Sequence, residues 1–112
     1  MAVTFKQLAS GLVSDAIAPV YPAPAGTNTQ IDAATLTNNS GTDVEVTIWI
    51  GGEAVADSNK VLNARLIPAN TSIGPLRELV GQVVPDGGSL FAMASIAGVV
   101  ALVMSGREQS TT

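Results

Sequence analysis

Catalysis in this 112-residue chain would have to rest on its nine carboxylates. Histidine and cysteine are both absent. Their absence removes the commonest general base near neutral pH, the usual nucleophile triads, and imidazole or thiolate metal sites. Two carboxylates meeting in space could serve as the acid and nucleophile of a glycosidase. However, Asp15, Asp32, Asp43, Glu45, Glu53, Asp57, Glu78, Asp86 and Glu108 form no motif. With two Phe, one Tyr and one Trp there is also little aromatic surface for a sugar platform. The expectation is a protein with no catalytic residue, no cofactor and no metal, and not an enzyme.

Weaker motifs give way on inspection. Glu53, Asp57 and Asn59 suggest a calcium loop, but they lack the alternating acidic ligands and closing glutamate of one. Gly51-Gly52 and Pro85-Asp86-Gly87-Gly88 are not followed by the Lys-Ser/Thr that reaches phosphate, so they read as tight turns. Asn38-Asn39-Ser40 and Asn70-Thr71-Ser72 spell glycosylation sequons. Residues 1–18 fit a secretory signal poorly, because Ser10, Gly11 and Ser14 interrupt the apolar run. The sequons are therefore read as coincidental.

A net charge of −4, with Lys6, Lys60, Arg65, Arg77 and Arg107 scattered, argues against nucleic acid and anionic lipid as partners. The longest apolar stretch, residues 90–104, would reach only about 23 Å as a helix, short of a bilayer core of about 30 Å. No membrane span is expected. At 46% apolar and 12% charged, with mean hydropathy +0.38, the chain has too thin a charged surface for a typical free monomer. Cover by partners follows.

The elements that must present any site read as strands. Val44, Val46, Ile48 and Ile50 alternate with Glu45, Thr47 and Trp49, the clearest strand in the sequence. Asn38-Asn39-Ser40-Gly41 is hairpin-turn chemistry, which makes residues 30–37 the partner strand, with a bulge suggested at Ala33-Ala34. Pro19, Pro22 and Pro24 mark an edge strand or connection. Residues 53–59 read as a polar connection able to carry a short helical turn, and residues 61–67 as a further strand before the Pro68-Ala69-Asn70-Thr71 turn. Residues 89–95 and 98–105 read as a closing antiparallel pair joined through Ile96-Ala97.

The expected fold is all-β: an antiparallel β-sandwich, jelly-roll or immunoglobulin-like, of about eight short strands. Residues 19–106 form the domain, preceded by an N-terminal segment or arm (1–18), whose state is left open between helix and strand, and followed by a polar tail (107–112). Both faces of strand 99–104 are apolar, and Trp49 stands opposite the aliphatic face of its own strand. Interface candidates are therefore Phe5, Leu8, Leu12, Trp49, Val100, Leu102 and Met104, in a homo-oligomer, dimer or trimer. Trp49 is read as an anchor for a partner or as a ring covered by a loop, the N-terminal segment or another layer.

The order of features over residues 20–108 resembles a group of small virion proteins of tailed bacteriophages. The stretch runs Tyr21-Pro22-Ala23-Pro24-Ala25-Gly26-Thr27, then Thr35-Leu36-Thr37-Asn38-Asn39-Ser40, the strand 44–50, Leu66-Ile67-Pro68-Ala69-Asn70-Thr71, and Ser105-Gly106-Arg107-Glu108. It departs from the commonest pattern in having Ala69-Asn70 after Pro68, where glycine is frequent, and in its longer N-terminal segment. The resemblance implies a capsid decoration or cement subunit on the virion surface, made in the host cytoplasm without a signal peptide, with the major capsid protein as partner. A tail or neck component is the alternative within that class. A carbohydrate- or receptor-binding module with Trp49 as stacking platform is the alternative outside it.

Overall fold

A computed structural model describes residues 3–51 and 55–110. Glu53, considered above for a calcium loop, lies outside them, as do residues 1–2 and 111–112 of the two terminal segments. In chain order the elements are β1 (Val3–Leu12), β2 (Ala18–Pro22), β3 (Thr27–Asn38), β4 (Val44–Gly51), a 3-10 turn (Asp57–Asn59), β5 (Lys60–Ile67), β6 (Ser72–Ile73), β7 (Val83–Val84), β8 (Ser89–Ala94) and β9 (Val100–Ser110). Two antiparallel sheets pack together. The front sheet has the order β1-β9-β3-β6, with β7 also on β3, and the back sheet has the order β2-β8-β4-β5.

The expected all-β sandwich is thus the observed one. Alternation does the sorting: Val44, Val46, Ile48 and Ile50 of β4 turn into the core, and Ile31, Leu36, Leu102 and Met104 meet them from the front sheet. Each such side chain, removed from water, contributes roughly 1.5–3 kcal/mol before the entropy of ordering is counted.

Two hairpins expected from the turns do not form. β3 pairs with β9, β6 and β7, while β4 pairs with β5 and β8, so the 38–43 connection crosses between sheets. β8 and β9 likewise lie in opposite sheets, and the 95–99 connection is a second crossing. The physical reason is the same at both places. Consecutive strands with largely apolar inner faces can bury them against each other across the sandwich, which side-by-side pairing would not achieve. Among the described strands, only β4 and β5 pair as consecutive neighbours.

Nine strands lie among the described residues, in keeping with the expected number of about eight, and several are long. β3 has 12 residues, β9 has 11 and β1 has 10, whereas β6 and β7 have two each. β9 continues to Ser110, so the polar segment 107–110 belongs to the sheet rather than to a tail. Its alternating Arg107 and Gln109 face solvent while pairing with β1 and β3. Residues 3–12 form a strand on the edge of the front sheet, the strand alternative of the open N-terminal reading. β2, with Pro19 and Pro22, is an edge strand of the back sheet, where missing ladder donors cost least.

The bulge suggested near Ala33 is present as a register shift between Ile31 and Ala33. A second irregular site lies between β4 and β5, where Ala64 has φ 47° and its N–H donates to Thr47 Oγ1 at 3.0 Å. Left-handed backbone costs an L-residue roughly 1–2 kcal/mol, and glycine escapes that cost while losing more unfolded-state freedom. Ala64→Gly should therefore raise stability by roughly 0.5–1 kcal/mol, seen as a higher urea midpoint at unchanged slope.

Candidate interaction surface

One buried polar cluster ties the sheets together. Tyr21 of β2 hydrogen-bonds Thr29 Oγ1 of β3 at 2.7 Å and donates to the Glu108 carboxylate of β9. Lys6 of β1 stands 3.5 Å from the other oxygen of Glu108. Glu108 points inward because β9 alternates, with Val100, Leu102, Met104 and Gly106 on the same face. The phenol is pushed up to about 12, first by burial and then by its hydrogen bond to Glu108. That direction is the wrong one for a base or nucleophile at neutral pH. The carboxylate is already occupied by the phenol and the lysine, so the cluster acts as a clasp between layers.

The chain's single tyrosine makes this testable. Absorbance near 295 nm should report ionisation at about 12 in the folded protein, against the ordinary 10. Because the folded-state value is the raised one, the stabilisation is complete below pH 10 and is lost as pH climbs from 10 towards 12. Tyr21→Phe should abolish that alkaline step in denaturant midpoints.

No group of three or more His, Cys, Asp or Glu close enough to hold a metal occurs among the described residues, and no helix there is long and apolar enough to cross a membrane. An apolar notch of about 120 Å³, lined by Ala9, Leu12, Val13, Val20 and Leu102, opens between the sheets beside β1. It is below the size of ordinary small-molecule sites.

What the molecule does present is the outer face of the front sheet. The register sets Leu12, Ala101 and Thr37 in one row, Ser10, Val103 and Thr35 in the next, and Phe5, Arg107 and Gln30 further along. Phe5 is 74% exposed and Leu12 60%, with Val3, Val83 and Val103 also open. Among the described residues, Arg107 and Asp32 are the only charged strand residues on this face, and they neutralise each other at 3.1 Å. The Arg107 guanidinium also lies 5.9 Å from the Phe5 ring centre.

The expected interface residues divide accordingly. Phe5 and Leu12 lie on this open face. Leu8, Val100, Leu102 and Met104 are buried in the core and are not surface residues. On β9 the outward set is instead Ala101, Val103 and Ser105. The parity was readable from the strand's continuation, since Ser105, Arg107 and Gln109 extend the odd positions in polar residues, but inward-facing Glu108 obscures it.

Trp49 is 6% exposed, flanked in register by Phe91 of β8 and Lys60 of β5, whose Nζ is 5.9 Å from the ring centre. It offers no open ring. Comparison with protein-family models and with curated proteins finds no match for this chain.

Proposed function

We propose that this chain is a non-enzymatic structural subunit that docks through the outer face of its front sheet. In line with the sequence resemblance, its setting is the capsid of a tailed bacteriophage, where it decorates or cements the shell by binding the major capsid protein. The observation that carries the reading is the front face itself, where Phe5, Leu12, Val83 and Val103 lie exposed with a single internally neutralised ion pair. Large apolar side chains set on an uncharged polar sheet face, with the one ion pair neutralised internally, are what a docking surface offers a partner. Bound across capsomer boundaries, the subunit would stabilise the assembled state by mass action in proportion to its occupancy. The stacking-platform alternative finds no support in a Trp49 buried beneath Lys60.

The test is co-sedimentation of purified protein with tail-less shells and, separately, with isolated tails. Binding to shells, weakened at least about tenfold by Val103→Glu, is the expected result. Binding to tails alone would move the protein to the tail or neck, and binding to neither would end the virion reading.

A further inference from the structure

We propose that β1 pairs antiparallel with β1 of a second copy of this chain, about a two-fold axis between Leu8 and Ala9, fusing two front sheets into one. Edge strands offer unpaired backbone donors and acceptors, and proteins blunt them with proline, charge, irregularity or shortness. Three of the four edges here are blunted: β2 by Pro19 and Pro22, β5 by two register shifts with Lys60 and Arg65, and the β6/β7 edge by two-residue strands. β1 has ten residues, no proline and one charge, Lys6, and its one irregularity, at Gln7/Ala9, lies at mid-strand where a second copy can match it.

The backbone of β1 is arranged for a second copy. Val13 N–H donates to Val100 O at 2.8 Å, continuing the ladder in which Gly11 faces Leu102 and Ala9 faces Met104. Alternate residues of an antiparallel strand bond the same neighbour. Ser10 and Leu12 therefore turn their amides to the open edge. Past the register shift between Gln7 and Ala9, the even-numbered positions of β9 are again the ones bonded, Gly106 by Lys6 and Glu108 by Thr4. Gln7 and Phe5 therefore also turn outward.

The shift makes both Leu8 and Ala9 face the core, so the order of faces along β1 reads the same in both directions from the Leu8–Ala9 bond. A two-fold there sets Phe5 opposite Leu12 of the second copy and Gln7 opposite Ser10. Side chains then match in face, and both pairs have edge-directed amides. Lys6 falls opposite Gly11, and the two lysines lie about 17 Å apart along the strand, so no like charges meet. At each end of the contact Phe5 of one copy and Leu12 of the other become cross-strand apolar neighbours on the outer face, 74% and 60% exposed in the single chain.

Solution mass tests this without any shell, so its failure is distinct from failure of the docking reading. Light scattering should give twice 11.3 kDa, and Ser10→Pro, which takes away an edge-directed N–H and fills the space beside it while leaving β9 its ladder donors, should give a folded monomer with a circular dichroism spectrum of the same β type. The chain has no native cysteine. An oxidised mixture of Gln7→Cys and Ser10→Cys proteins should form at least about ten times more disulfide dimer than either alone, because only the mixed pair lies within bridging range. A monomeric mass at every concentration, a trimer, or equal cross-linking by Gln7→Cys alone would overturn the proposal.

Discussion

Gly106→Ala is expected to cost at least about 3 kcal/mol, and in a domain of this size to leave much of the chain unfolded at 37 °C. A Cβ on Gly106 would sit 2.1 Å from the carbonyl oxygen of Gln30 and 3.0 Å from Leu8 Cδ1. The first obstacle is backbone of the neighbouring strand and cannot rotate away. Gly106 lies where β9 is flanked on both sides by irregular neighbours: Lys6 and Ile31 face it, and the register of β1 and β3 shifts just beyond, at Gln7/Ala9 and Ile31/Ala33. Three strands close on one another at this point only because the middle one lacks a side chain. Gly41→Ala is the matched control, since nothing lies within 4 Å of its added Cβ, and it should shift stability by no more than about 0.5 kcal/mol. Urea denaturation followed by Trp49 fluorescence reads both.

Asn38→Asp should cost about 3 kcal/mol or more at neutral pH, with partial recovery as the new carboxyl is protonated in acid. The Asn38 side chain is buried and fully committed. Its Nδ2 donates to Thr42 O at 2.8 Å and Ile67 O at 2.9 Å, while its Oδ1 accepts from Ser40 N at 2.9 Å and Ser40 Oγ at 2.7 Å. The partners dictate which way the amide points, because Ser40 N–H can only donate and the two carbonyls can only accept. An aspartate keeps the shape but turns an oxygen towards two carbonyls and buries a charge. Asn38→Leu removes the repulsion and still leaves those partners unpaired, so it should be destabilised without the acid recovery. Unfolding curves at pH 7 and pH 4 separate the two variants.

These two positions show how far the sequence could be read. Asn38-Asn39-Ser40-Gly41 is legible as a turn, and the chain does leave its strand there, to cross to the other sheet. Turn residues, however, describe local backbone and carry no information on whether the next strand lies beside the last one or across from it. The same blindness affects the closing segment, where Ile96-Ala97 reads as a hairpin link and instead joins opposite sheets. On β9 the alternation showed two apolar faces, and only packing decided that Val100, Leu102 and Met104 go inside while Val103 stays out. Trp49 was open to two readings, and lateral cover by Phe91 and Lys60, contributed by strands distant in sequence, settled which face it shows.

By itself the amino-acid sequence determined what depends on side-chain type and near-neighbour spacing. It removed histidine and cysteine chemistry, specified an all-β chain through period-two alternation, and set the turns by Gly, Pro and Asn. The tertiary structure alone decided partnership: which strands pair, which apolar face is spent on the core, and which edge remains open. Those outcomes rest on contacts between residues tens of positions apart, such as Tyr21 with Glu108 or Gly106 with Gln30, whose energies arise only once both sheets are assembled.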